Sequence, residues 1–259
     1  MPYSRRAGIY DVEYVEQRDY AFVEELLGDG TLRALEVPCG AGRLSTRLAQ
    51  KTAALTLVDL EPAMVEKAAL ACAGRQAEIR AEVADMRELD IKSVFDVALI
   101  PREALQLLSP DDGRKAVSAI GAHVDAGGLL FVDLATFQAN KEIPTDPDYF
   151  DPDRSDDVWK TNWTRNLADG SSLTRSSAQR QEAGSIHIRL AYHIAHPMGA
   201  QDRWRSEMRL FRYERNWLDD ATPDGMNLDA VYGGYDYSPF SDKSPRMIAI
   251  YRRPISLKS

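Results

Sequence analysis

The chain is short of cysteine, of long apolar runs, of repeats and of positive charge, and each shortage removes a class of protein. Two cysteines, Cys39 and Cys72, among 259 residues give neither a disulfide framework nor metal-ligand spacing, and a reducing cytoplasm is the expected home. No apolar stretch approaches the roughly 20 residues that cross a bilayer. The opening MPYSRRAGIYDVEYVEQ lacks the apolar core of a signal peptide, so no membrane partner is expected. The net charge of −8 argues against nucleic acid, whose binders present a basic face. Five arginines in RWRSEMRLFRYERN (203–216) read as the solvated face of a strand. The four histidines, His123, His187, His193 and His196, form no cluster with Cys or Asp at metal spacing, so no metal is implied. No internal repeat or low-complexity segment is visible.

What is present is enough apolar content, 44% over 259 residues, for one enlarged α/β domain. The most informative stretch is residues 35–43, Leu-Glu-Val-Pro-Cys-Gly-Ala-Gly-Arg. A buried strand (Ala34, Leu35, Val37) enters a glycine turn, Gly40 and Gly42, and then a helix over 44–49. A second apolar strand, Ala54 to Val58, ends on Asp59, 17 residues after Gly42. Glycines at such a turn let backbone lie close to a ligand and leave helix N–H groups to meet it. An acid at the tip of the next strand can take both hydroxyls of a ribose. A nucleoside-bearing cofactor at the carboxyl edge of a parallel sheet is therefore expected.

A nicotinamide site is the first alternative. Its fingerprint is G-x-G-x-x-G, and here the frame runs Gly40, Gly42, Ser45. Glu36, at the end of the first strand, would repel a pyrophosphate but suits a cationic amine. Residues 35–64, LEVPCGAGRLSTRLAQKTAALTLVDLEPAM, resemble the opening of the class I S-adenosylmethionine-dependent methyltransferases. Glu36, Gly40 and Gly42 match the first motif of that family, Glu/Asp-x-Gly-x-Gly-x-Gly; Pro38 replaces its first glycine, and Cys39 lies within the turn. The resemblance implies that Asp59 binds the ribose diol and that Leu60 and Met64 flank adenine or ribose. VADMREL (83–89) is similar to the third motif, with Asp85 meeting the adenine amino group and Met86 covering the ring. Ile100 and Pro101 then stand where the family closes the methionine end of the cofactor. The implied fold is α/β, a Rossmann-like seven-stranded mostly parallel sheet, and the implied cofactor is S-adenosylmethionine.

The organisation expected around that core has four parts. Residues 1–30 form a helical lid, in which Tyr10 and Tyr14 either touch ligand or pack the lid on the sheet. Residues 31–137 form the cofactor-binding core. Residues 138–213 leave it through a Pro- and Asp-rich loop and then alternate with period two over four antiparallel strands. In SIHIRLAYHIAH, Ile186, Ile188, Leu190, Tyr192 and Ile194 share one face and His187, Arg189, Ala191 and His193 the other, so the sheet must cover something. It is expected to cap the active site as an inserted β layer. Residues 214–259 return to the core with a helix over 214–221 and strands over 226–232 and 247–252.

Methyl transfer from a sulfonium needs alignment and dryness more than a dedicated base. The candidate base is His193, with Tyr14 and Tyr235 as candidates for positioning an amine. The acceptor expected is a small molecule bearing nitrogen (an amino sugar, amino acid or secondary-metabolite intermediate), with oxygen or carbon as runner-up and a homodimer compatible with the chain. Non-methyl chemistry such as cyclisation, and a non-catalytic cofactor-binding scaffold, are the rival functions.

Overall fold

Runs of four to six buried apolar residues, bounded by turns, make the central strands of a sheet covered on both faces. The computed structural model describes residues 9–15, 17–28, 31–137 and 149–255. Its strands are β1 (Arg33–Glu36), β2 (Ala54–Asp59), β3 (Glu78–Val83), β4 (Phe95–Ile100), β5 (Val124–Ala135), β6 (Lys160–Asn166), β7 (Ser172–Glu182), β8 (Ser185–Ala195), β9 (Gln201–Phe211), β10 (Asn227–Tyr232) and β11 (Arg246–Arg252). One seven-stranded sheet has the order β10-β11-β5-β4-β1-β2-β3. Only β11 runs against its neighbours, pairing antiparallel with both β5 and β10. From β1 the chain builds outward through β2 and β3, then crosses to β4 on the other side. Such a switch opens a crevice beyond the carboxyl ends of the strands.

The helices are α1 (Tyr10–Glu13), α2 (Arg18–Leu27), α3 (Ser45–Lys51), α4 (Pro62–Cys72), α5 (Pro110–Gly121) and α6 (Arg215–Asp220). Both α4 and α5 begin at a proline, whose fixed φ suits the first turn. Ser109 caps α5, its Oγ accepting the Asp112 N–H at 3.2 Å. α2, α3 and α4 pack Phe22, Leu48 and Ala68 against one face of the sheet. α5 and α6 pack Val117, Ile120 and Trp217 against the other. Ala126, Gly127 and Gly128 lie inside β5, where its pairing with β4 shifts register between Phe95 and Val97.

Between β5 and β10 the chain inserts a separate four-stranded antiparallel sheet, β6-β7-β8-β9. Alternation decides which way it faces. Ile186, Ile188, Leu190 and Tyr192 are buried with Leu173 and Leu210, against Ile9, Tyr149 and Phe150. The expected boundary at 137/138 and most of the Pro- and Asp-rich loop lie outside the described residues.

Two glycines have no substitute in this arrangement. Gly40 (φ +52°) leaves room for Tyr10, whose hydroxyl would stand 2.9 Å from an added Cβ. Gly42 (φ +92°) lets α3 approach α4, since a Cβ there would meet Ala68 Cα at 2.9 Å. Gly42 thus supplies the close packing that a third fingerprint glycine gives elsewhere. Gly42→Ala combines a left-handed backbone with a backbone clash. We expect it to lower stability by about 1–3 kcal/mol in a chemical denaturation curve.

Candidate functional site

β1 ends on Glu36 and passes into a turn whose path is fixed by backbone. The Val37 N–H donates to Leu99 O and the Cys39 N–H to Val58 O, tying the turn to β4 and β2. The Val37–Pro38 peptide is cis. Glu36 is 1% exposed and accepts a hydrogen bond from Ser45 Oγ at 2.5 Å. Burial pushes its carboxyl up to about 8, against the opposing hydrogen bond from Ser45. Asp59 reaches back from the tip of β2. Its Oδ2 accepts the Gly40 N–H at 2.9 Å and its Oδ1 the Glu61 N–H at 3.0 Å. Each oxygen keeps a further lone pair for a ligand hydroxyl. Burial raises the Asp59 carboxyl, and these backbone donors counter the shift.

At the tip of β3, Asp85 caps a single 3₁₀ turn (Met86–Glu88), accepting the Arg87 N–H at 2.9 Å. It also holds the Arg87 guanidinium, whose hydrogen bonds keep the Asp85 carboxyl below its ordinary value. At the tip of β4, Arg102 and Glu103 both take left-handed backbone, with φ 42° and 36°. Asp133 of β5 imposes this. Its Oδ2 accepts the Arg102 N–H and its carbonyl the Glu103 N–H. Buried Arg246 joins the two acids, donating to Asp133 Oδ1 at 2.6 Å and Glu103 Oε2 at 2.9 Å. Desolvation nevertheless raises the Asp133 carboxyl.

The remaining walls come from the lid and the cap. Tyr10 and Tyr14 stand 4.5 Å apart, ring to ring, with Tyr10 over Gly40. One rung of the cap carries Trp163, Arg175, Tyr192 and Trp204 side by side across its four strands. Glu13, at the end of α1, is buried against that rung. It accepts from Arg175 Nη1 at 3.1 Å and from the Tyr192 hydroxyl at 2.6 Å. Arg165 donates to the Val12 and Glu13 carbonyls. The lid is therefore locked to the cap as well as to the core. Together these elements enclose a cavity of about 420 Å³, bounded by Tyr14, Glu36, Asp59, Met86, Glu103 and, from the cap, Met208 and Leu210.

Residues 34–128 match the family model described as a methyltransferase domain. These residues form a methyltransferase domain. A protein of Geobacillus sp. (strain WCH70) named as a methyltransferase is 34% identical over 106 residues, 40% of this chain and 43% of that protein. The chain thus matches less than half the length of that curated relative. Solved structures resemble it over nearly the whole length at lower identity. An S-adenosylmethionine-dependent methyltransferase from Clostridium acetobutylicum ATCC 824 superposes with a TM-score of 0.74 at 16% identity, covering 97% of this chain and 99% of that one. A sugar N-methyltransferase from Streptoalloteichus sp. ATCC 53650 gives 0.70 at 17% identity, covering 95% and 92%. These likenesses carry the fold: the seven-stranded sheet and the inserted antiparallel layer together.

In the methyltransferase domain and its surroundings, the structure brings most of the residues singled out in the sequence to one cavity. Glu36, Pro38, Cys39, Gly40 and Asp59 line it from β1, the turn and β2. Leu60 lies at its exposed rim and Met64 is buried beside Ala41. Asp85, Met86, Pro101 and Tyr14 complete that side. Four positions stand elsewhere. Gly42 packs on α4, and Ile100 is wholly buried beneath the cavity. Tyr235 stands behind it, half-buried, with its hydroxyl donating to Asp133 at 2.6 Å, and the desolvation of that hydroxyl pushes its phenol far above the usual value. His193 lies on the outward face of β8, with its Nε2 near Gln201. The cap turns its apolar face inward, so a residue in phase with Arg189 and Ala191 points away. Among the other histidines, His123 bridges the Ser93 and Leu89 carbonyls, and His196 lies between Ser171 and Asp202.

Sequence reading missed Glu103, Tyr149, Met208 and Leu210. Glu103 follows Ile100-Pro101 directly, but its inward aim depends on a left-handed backbone that an ordinary sequence pattern does not announce. Removing the acid that docks the lid tests the closed arrangement. Glu13→Ala takes the carboxylate from a guanidinium buried to 1%, a change that costs about 3–5 kcal/mol when the pair cannot rearrange. We expect faster amide hydrogen exchange at residues 9–15 with exchange in β4 and β5 unchanged.

Proposed function

We propose that this chain transfers a methyl group from S-adenosylmethionine to a small-molecule acceptor, with an amine nitrogen as the acceptor atom. One observation carries the reading: a single cavity joins the diol-competent Asp59, the buried acid Glu36 and the apolar wall of the cap. The residues present fit the cofactor. Asp59 can accept two vicinal hydroxyls while it keeps both backbone donors. Asp85 and Met86 offer the adenine an acceptor and an apolar face. Glu36 offers the cationic end of the molecule a carboxylate in a dry setting. Among the lining residues five acids (Glu36, Asp59, Glu61, Asp85, Glu103) face three arginines (Arg43, Arg87, Arg102). Two of those arginines are already engaged by carboxylates, Arg43 by Asp19 and Arg87 by Asp85. The excess of carboxyl over guanidinium groups at the cavity suits a sulfonium and disfavours a pyrophosphate.

When bound, the cofactor supplies a methyl group already activated for transfer. The chain's own tasks are then to orient the acceptor, to compensate charge and to exclude water. The lid, with Tyr10 and Tyr14, and the cap, with Met208 and Leu210, provide the exclusion. The amino-sugar reading of the acceptor draws on the resemblance to the sugar N-methyltransferase and on the acidic cavity.

Two measurements test this. Asp59→Ala removes paired hydrogen bonds to a ribose, so S-adenosylhomocysteine should bind more weakly by about 1–3 kcal/mol in titration calorimetry; unchanged affinity rules out the placement. The second concerns Glu36, whose folded carboxyl stands near 8 against an ordinary 4.5. Its protonated form is the one that folding favours, so its contribution to stability is present at low pH and is lost as pH rises through about 8. A bound cation reverses the preference. S-adenosylmethionine should therefore bind with release of up to one proton near neutral pH, and its affinity should rise toward pH 8. Glu36→Gln should abolish that release, measured as the dependence of binding heat on buffer ionisation enthalpy.

A further inference from the structure

We propose that Glu103 is the residue that receives the acceptor's amine. The inference rests on the cavity being the methyl-transfer site described above. Strand order lays the cavity out. Asp85 and Met86 stand at β3, Asp59 at β2 and Glu36 at β1, so a cofactor held by them occupies that side. What remains lies beyond β4, where Glu103 and Leu107 face Tyr149, Met208 and Leu210. That region is lined by apolar side chains together with the Glu103 carboxylate, the Tyr149 phenol and the neighbouring Arg102, which is the composition of a pocket for a small organic molecule with few polar handles.

Three features set Glu103 apart from an ordinary structural acid. Its side chain is 8% exposed, yet it borders the cavity. Its backbone is left-handed, as is that of Arg102, an arrangement that costs free energy and is held by Asp133 and Arg246. Its carboxylate is fixed from behind: Oε2 takes the Arg246 guanidinium at 2.9 Å, while Oε1 takes, among the described residues, the long 3.3 Å bond from the Tyr149 hydroxyl. Asp133 and Glu103 both bind the Arg246 guanidinium. Glu103 is the member of the cluster that meets the cavity. An acceptor that donates N–H groups and carries or develops positive charge completes it.

The same carboxylate serves the transfer step. The amine reacts in its neutral form, having lost any extra proton to water. Its lone pair forms the N–C bond as the C–S bond breaks and the bonding pair stays on sulfur. The positive charge thus moves from sulfur to nitrogen, and the nitrogen proton leaves to solvent with the product. A carboxylate that accepts an N–H bond aims the lone pair and meets charge that exists on nitrogen only as the reaction proceeds. An alcohol of the same shape has a single proton to offer and gains less.

The test compares cyclohexylamine with cyclohexanol as probes binding to the complex of the full chain with S-adenosylhomocysteine, by calorimetry or ligand-observed NMR near neutral pH. The amine should bind at least tenfold more tightly than the alcohol. Glu103→Gln should erase that preference while leaving S-adenosylhomocysteine affinity within twofold, which also certifies the fold of the variant. If that variant does not fold, Glu103→Asp, which keeps the charge but withdraws it by one methylene, should lower amine affinity severalfold and leave the alcohol unaffected. Equal binding of the two probes to the wild type, absence of binding by both, or a preference that survives either substitution overturns the proposal and leaves Glu103 a structural partner of Arg246. Failure of the wild type to bind S-adenosylhomocysteine would instead sink the methyl-transfer reading itself.

Discussion

The shape of the site depends on one buried arginine. Arg246 enters from the antiparallel strand β11 and binds Asp133 on β5 and Glu103 beyond β4. Arg246 and Asp133 are almost fully enclosed, and Tyr235 closes the cluster by donating to Asp133 and lying 5.2 Å beneath the guanidinium. An ion pair buried this deeply adds little net stability over a well-packed apolar substitute, because desolvation offsets attraction. What it does supply is direction. It holds two successive residues in a backbone region that only a few per cent of non-glycine residues occupy, and so sets the floor of the cavity. The last strand of the chain thereby decides the geometry at a turn that lies far earlier in the sequence.

The same logic recurs at the roof. Glu13, Arg175 and Tyr192 join the short helix α1 to the inserted sheet, and Asp19 engages Arg43 just after the glycine turn. A four-residue helix has no stability of its own. Its position is therefore set by these polar contacts and by the packing of Ile9 against the cap. Lid and cap are coupled, and a disturbance of either should be felt at Tyr10 and Tyr14. The acids at the strand tips are likewise interdependent. Desolvation at the edge of one space raises both the Glu36 and the Asp59 carboxyl.

Much of this was legible in the residues. The apolar runs at 34–37, 54–58 and 95–100 and the two glycines at 40 and 42 foretold the parallel core and the turn, because buried strands and left-handed turns admit few residue types. The period-two alternation over 160–211 foretold the antiparallel sheet and even which face of β8 would be buried. The same alternation should have removed His193 from the site, since its neighbours Tyr192 and Ile194 own the inward face. Tyr235 was expected at the ligand to position an amine, but the structure has it behind the cavity, where its hydroxyl donates to Asp133.

By itself, then, the sequence determined the fold class, the position of the glycine turn after β1 and the acid at the tip of β2, all of which follow from short-range pattern and turn chemistry. Only the tertiary structure decided which acids gather. Glu103 meets Arg246 across 143 residues, and Glu13 meets Arg175 across 162. No local periodicity encodes such pairings. They arise because a buried charge must be paired, and the closing of the sheet and its cap chooses the partners.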